Sequence, residues 1–249
     1  MKRKTSLLIL FQFLILSTLC VAETSRHKQI YQAYISGNIN QWISVVKEME
    51  SGENIRTVSQ KLELIEYYYG LSGFYIGQNN LKMVKITIDK ADIILNKLMK
   101  EAPNTASVYS YKGSLTAFRI ALNKYKAITL GAECLKYIDR GYQMDTSDIQ
   151  AITDKANALQ NAPRLFGGNK TEAIRLFQKS ILLMEKTDRA TDNWFYLNTL
   201  AQLAQAYVSI NQPDKAKLTY EKALRKEPDF LWVKNKMYPD LLLLIKSQS

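Results

Sequence analysis

The chain has 249 residues, 47 % of them apolar, with ten glycines, five prolines, two cysteines, one histidine and a formal charge of +11. That length and apolar content suffice for a buried core, the missing strand-type alternation excludes an all-β class, and so few His and Cys exclude a zinc-type cluster or a disulfide framework. The positive surplus favours anionic neighbours such as lipid head groups or acidic envelope polymers.

Lys2, Arg3 and Lys4 precede an apolar run from Leu7 to Leu16 and the ending Cys20-Val21-Ala22. A basic start, a short apolar core and small residues before Glu23 describe a secretory signal peptide, 1–22, cleaved after Ala22, which makes 23–249 a single periplasmic or secreted domain. Acylation at Cys20 is the lipoprotein alternative; Leu19, where such signals carry a small residue, weighs against it. No later stretch is long and apolar enough to span a bilayer, since Leu241 to Ile245 is bounded by Asp240 and Lys246. That compartment disfavours nucleic acid as a partner. The lysines, among them Lys82, Lys85, Lys90, Lys97 and Lys100, are scattered singly along helices, which reads as a solvated face rather than a dedicated anion site.

From there the apolar residues follow a 3.6-residue period almost to the end of the chain. The pattern predicts helices over 24–36, 39–51, 55–77, 80–101, 105–124, 126–143, 147–161, 170–187, 191–211, 214–227 and 229–246. Breaks fall at Gly37-Asn38, Ser51-Gly52, the segment from Gly77 to Asn80, Pro103-Asn104, Gly167-Gly168-Asn169 and Asn211-Gln212-Pro213, where helix-terminating and αL-tolerant residues cluster. Residues 23–51, with Tyr31, Tyr34, Trp42, Ile43 and Val46 at helical spacing, read as an N-terminal capping hairpin, and Pro228 to Ser249 as a capping helix whose Leu243 and Leu244 pack inward. Cys134 reads as a small buried helix residue. Tyr67, Tyr68, Tyr69, Phe74 and Tyr75, continued by Tyr109 and Tyr111, form an aromatic cluster. Three consecutive tyrosines must point in different directions, so Tyr67 and Tyr75 are expected on a groove surface.

Near the C-terminus Leu200, Leu203, Ala204, Tyr207, Ala216, Tyr220, Ala223 and Pro228 stand in the order large, large, small, large, small, aromatic, small, Pro. This segment resembles the tetratricopeptide repeat family, whose unit is about 34 residues. The resemblance implies an all-α superhelix of helical hairpins in which small residues let antiparallel helices approach and stacking creates a concave groove. Gly70, Gly113, Asn161 and Ala204 are expected to mark the close-approach position of four successive first helices, at intervals longer than the standard unit. The phrase from Pro163 through Ala173, Pro-Arg-Leu-Phe-Gly-Gly-Asn-Lys-Thr-Glu-Ala, is similar to one in secreted bacterial tetratricopeptide proteins, including the T-component of periplasm-dependent (TRAP) solute transporters. That likeness implies a solute-transport accessory. Read on its own, the segment is a shaped turn with Phe166 plugged into the core, a reading favoured over a ligand loop at Arg164 and Phe166.

Trp194, Asn198, Gln202 and Gln205 share one face of helix 191–211, the face that in this family lines the groove. They are groove-binding candidates for an extended peptide or a polar small molecule, weighed evenly against a wet surface face. Ala201 and the lack of a Lys there exclude a carboxylate clamp. Enzyme chemistry finds no support, because His27 lies just past the expected cleavage site, no glycine loop cradles phosphate, and the carboxylates are dispersed. The expectation is a non-catalytic envelope scaffold, without cofactor or metal, that binds a protein or peptide partner in its groove. An anionic envelope surface is a peripheral neighbour, and a small-ligand pocket between helices near Phe166 is the alternative.

Overall fold

The computed structural model describes residues 26–52 and 57–248. The expected signal peptide with Cys20 and Ala22 lies outside the described residues, as do 24–25 and 55–56, the first residues of two expected helices. Within them the chain is all helix: α1 (26–36), α2 (Ile39–Ser51), α3 (Val58–Gly77), α4 (Leu81–Glu101), α5 (Ala106–Leu122), α6 (Ala127–Met144), α7 (Ile149–Asn161), α8 (Lys170–Lys186), α9 (Trp194–Val208), α10 (Pro213–Lys226) and α11 (Tyr238–Gln248), the last entered through a π turn at Val233–Met237. The boundaries agree with the periodicity because the sequence caps its own helices. Side chains of Asn38, Asn80, Asp148, Asn169 and Asn193 accept backbone N–H bonds at helix starts, and Thr57 with Gln60 forms a reciprocal capping box. Asn79 and Asn211 end α3 and α9 at φ of 54° and 55°.

Consecutive helices pair as hairpins, α3 with α4, α5 with α6, α7 with α8 and α9 with α10, and each hairpin packs on the next through α4–α5, α6–α7 and α8–α9. The first helices also touch one another, α3 to α5 and α5 to α7. The result is an inner layer of α3, α5, α7 and α9 and an outer layer of α4, α6, α8 and α10, the helical-hairpin superhelix that the sequence implied.

The fourth hairpin closes on small residues, with Ala204, Ala216 and Ala223 fully buried among Leu200 and Tyr220. The spacing of that hairpin recurs in α3–α4, where Tyr68, Leu71, Ser72, Tyr75, Val84, Ile88 and Ala91 are all buried. Ser72 stands where the fourth hairpin has Ala204, and its hydroxyl shares a 2.8 Å hydrogen bond with that of Thr87. Gly70 is therefore not the close-approach residue of that hairpin. Nor is Asn161 that of the third: it sits at the exposed end of α7, and α7 meets α8 through buried Ala156 and Ala173 and a 2.7 Å bond between the hydroxyls of Thr153 and Ser180. Gly113 holds as read, since a Cβ there would fall 2.4 Å from Ile138 Cγ1 and 2.9 Å from the Ile138 backbone nitrogen.

At the C-terminus Phe230, Val233 and Leu241 carry the packing. Leu244 is half-buried against the core, but Leu243 is 67 % exposed, because successive residues of a helix point about 100° apart and both cannot face inward. Cys134 is buried, and burial raises its thiol pKa to about 11, leaving it protonated and inert.

Replacing Ala204 by Leu forces α9 and α10 apart in a site with no free volume, at an expected cost of about 1–3 kcal/mol. Thermal unfolding by circular dichroism checks it: a melting temperature equal to wild type would place Ala204 outside the contact.

Candidate functional site

The inner faces of α3, α5, α7 and α9 converge on α3. Tyr69 meets Tyr111 of α5 edge to face and Phe118 at a tilt, at 5.9 and 5.3 Å between ring centroids, and accepts a 3.4 Å hydrogen bond from Asn157 of α7. One turn earlier, Glu66 accepts the indole N–H of Trp194, from α9, at 2.8 Å. One turn after Glu66 comes Gly70, where a Cβ would fall 2.4 Å from Trp42 and 3.2 Å from Trp194. The missing side chain at Gly70 thus admits two indoles, which meet edge to face at 4.9 Å.

Trp42 brings the N-terminal hairpin into this inner face. Its indole donates to the Tyr67 carbonyl at 3.1 Å, while Tyr34 of α1 packs on Trp194 at 5.6 Å and donates to Asn198 at 3.1 Å. Tyr31 donates to Glu227 at 2.8 Å, and Arg26 bonds both oxygens of Glu63. The hairpin 26–51 is more than an end cap, since it reaches both α3 and α9 and fills the N-terminal half of the inner face.

That placement divides the sequence candidates. Trp194 is 4 % exposed and belongs to the aromatic core, a correction to its reading as a groove residue; helical spacing located its face but not the hairpin that covers it. Tyr67 is fully buried, its hydroxyl bonded to Glu63 at 2.9 Å and within 3.3 Å of His27 Nδ1. Tyr75 is buried as well, at the large position of the α3–α4 hairpin, so neither tyrosine lines a groove. Asn198 is half-buried beneath Tyr34, Gln202 is half-buried with its carbonyl oxygen lacking a protein partner, and Gln205 is exposed.

Toward the C-terminal ends of α7 and α9 lie Asn157 and Gln160 on the one and Gln202 and Gln205 on the other, the two helices linked there by Gln160 and Ser209. Gln160 also keeps a buried carbonyl oxygen without a partner while its amide donates to Ser209 at 2.9 Å. These α7 amides were missed in the sequence. The signal for Asn157 was the helically spaced polar run Gln150, Asp154, Asn157 and Asn161, a run that leaves out Gln160.

Inward from the amides lies Asp154, fully buried, accepting from Ser110 at 2.5 Å and Gln150 at 2.9 Å on Oδ2, while Oδ1 has no partner. Burial pushes its pKa up to about 6, against the lowering effect of hydrogen bonds from Ser110, Gln150 and Ser114. Burial also raises the carboxyl of Glu66, opposed by His27 and the Trp194 N–H. Among the described residues no group of three or more His, Cys, Asp or Glu is placed to hold a metal ion.

The turn 162–169 differs from its reading. Arg164 is exposed, Phe166 is 63 % exposed and Leu165 88 %, so Phe166 is not plugged into the core and no enclosed pocket forms around it. The geometry of the turn is nonetheless fixed. Phe166 and Gly168 donate to the Pro163 carbonyl at 2.9 and 3.1 Å, Asn169 donates to that of Leu159 at 2.9 Å, and Gly167 has φ of 86°. A Cβ at Gly168 would fall 1.9 Å from the Ala162 oxygen, so only glycine fits.

No protein-family model matches the chain, and no curated protein matches it. Among solved structures it is similar to a thermophilic tetratricopeptide-repeat protein of Thermus thermophilus, with 15 % identity and a TM-score of 0.54 over 83 % of this chain and 93 % of that one. At that identity the likeness concerns the fold alone, a tetratricopeptide-like stack of helical hairpins.

Two outcomes follow from this geometry. Trp194→Ala removes a buried indole and strands the Glu66 carboxylate, with an expected loss of about 3–5 kcal/mol in chemical denaturation. Asp154 has a folded pKa above its ordinary 3.8, so its contribution to stability is full below about pH 4 and is lost as pH rises through about 6. Measured as unfolding free energy, Asp154→Asn should gain on wild type by about 3 kcal/mol between pH 4 and pH 8; a difference that stays flat with pH would remove Asp154 as a buried acid.

Proposed function

We propose that the protein is a non-catalytic scaffold of the cell envelope that holds an extended segment of a protein partner at the uncovered end of its inner face. The observation that carries the reading is the set of four amides at that end, Asn157, Gln160, Gln202 and Gln205, two of which keep a buried carbonyl oxygen without a protein partner. A peptide backbone offers N–H donors and C=O acceptors to amides of this kind, and the two buried oxygens meet it once their side chains turn outward. The hairpin fold supports a binding role rather than a reaction, since stacked repeats offer an extended surface. The envelope location rests on the basic, apolar and small-residue pattern of 1–22. A photoreactive phenylalanine analogue placed at Gln205 should cross-link a partner in envelope preparations, and Gln160→Ala with Gln202→Ala should abolish that product at unchanged melting temperature. The same product from a probe at Leu218 on α10 would show that the partner does not use this face.

A further inference from the structure

Each inner helix ends at the same edge of the superhelix. The parallel run of α5 and α7 is fixed by Ser107–Asp148 and Ser110–Asp154 bonds, and α7 and α9 end together where Gln160 and Lys170 both bond Ser209. The turns within hairpins, 77–80, 123–126, 162–169 and 209–212, therefore line one edge, and the turns between hairpins line the other.

The two edges differ in charge. The within-hairpin turns contain Lys124, Lys126 and Arg164 and no carboxylate, whereas the connections between hairpins at 102–105, 145–148, 187–193 and 227–237 contain Asp145, Asp148, Asp188, Asp192, Glu227 and Asp229 against Arg189, Lys234 and Lys236. Helix capping does not explain this. Both edges carry helix starts and helix ends alternately, so the macrodipole favours acids equally on each. Near the basic edge Asp89 is already paired with Lys85 and Arg119 and Glu172 with Arg175, while Asp214 sits beside Lys215 and Lys217.

The basic edge also bears the three most exposed large apolar side chains among the described residues: Tyr125 and Ile128 are 87 and 88 % exposed beside Lys126, and Leu165, at 88 %, stands with Phe166 beside Arg164 on a turn that its hydrogen bonds and Gly168 hold in shape. On the opposite edge Met144, Leu231 and Trp232 each stay below 40 %. Between the first two turns opens a cleft of about 250 Å³ whose lining includes Leu81, Lys85, Asp89, Arg119 and Lys126.

We infer that this edge docks on an anionic lipid surface, with the side chains of Tyr125, Ile128, Leu165 and Phe166 entering the acyl boundary and Lys126 and Arg164 meeting the head groups. Apolar tips on separate turns with basic neighbours suit a fluid interface, where each tip is desolvated without needing a complementary pocket. A protein interface would ask for one contiguous apolar centre instead.

The test uses the chain from Glu23 onward, which holds every residue of the described fold, and co-sedimentation with phosphatidylglycerol-containing or pure phosphatidylcholine vesicles. The expected result is binding to the anionic vesicles that weakens with salt. The pair Leu165→Ser/Phe166→Ser and the pair Tyr125→Ser/Ile128→Ser should each lower affinity about ten-fold or more. Arg164→Gln should lower it about five-fold, and Leu218→Ser, on the outer layer, should not change it. All of these positions are exposed, so circular dichroism should show intact folds. Failure to bind anionic vesicles, equal binding to neutral ones, or binding untouched by both serine pairs, which would mean diffuse electrostatic adsorption, overturns the proposal.

Discussion

Gly70 is the point on which the closed inner face depends. With no side chain at that position, α3 accepts the Trp42 indole from α2 and the Trp194 indole from α9 within one turn. A stack of hairpins is otherwise held only by neighbour contacts, each repeat touching the next. Here an aromatic cluster joins the start of the chain to α9, with α1 adding Tyr34 on Phe230 at 5.1 Å and Tyr31 on Glu227. Any side chain at residue 70 would displace an indole and loosen both ends together, so the molecule should unfold more as one unit than as a series of independent repeats.

The closure explains the internal polarity. An inner face left open would keep Asp154, Glu66, Tyr69 and Tyr111 in water; converging helices desolvate them, and the phenols of Tyr69 and Tyr111 are pushed well above their ordinary range as burial adds to nearby carboxylates. The two carboxyls keep part of their hydrogen bonding, as Trp194 gives Glu66 a donor and Ser110 and Gln150 serve Asp154, and Tyr69 accepts from Asn157. The carbonyl oxygens without partners lie where this network runs out, at the end the N-terminal hairpin does not reach.

How far the sequence could be read follows from the range of each signal. Helix periods and Asn caps are local, and the helices lie within a few residues of where the pattern places them. The fourth hairpin was legible because alanines fill its close-approach positions; the α3–α4 hairpin has the same spacing but was hidden by Ser72 and Val84, which pack as well while looking unlike the pattern. Gly70 and Asn161 misled because glycine and asparagine report backbone freedom or a helix end, not which neighbour comes close. The stripe of Trp194, Asn198, Gln202 and Gln205 was correct as a face and wrong as a uniform surface, since whether a face is covered depends on α1 and α2, some 150 residues away in the chain. The segment around Phe166 failed in the opposite sense. Its glycines and proline argued for a shaped turn, and the turn is shaped, yet its hydrogen bonds leave Phe166 exposed rather than plugged into the core.

Charge carries the same lesson at larger scale. Lysines scattered along the sequence suggest an even solvated surface, and on the helices many are paired, as in Lys90 with Glu50 and Lys155 with Asp139. The asymmetry resides in the turns, and it becomes visible only when the hairpin order assigns alternate turns to opposite edges. The uncovered amides of α7 and α9 belong to the basic edge's end of the molecule, because Gln205 and Gln160 lie in the last turns of helices that end there. An approach of that edge to an anionic surface would turn the amides toward the same surface, so a segment reaching them would come from the side of the bilayer. The acidic turns would meanwhile face away, where like charge repels the surface over roughly a Debye length. Exposed tips, charge and the inner-face amides thus share one axis of the superhelix, an orientation that follows from alternate turns and not from any single residue.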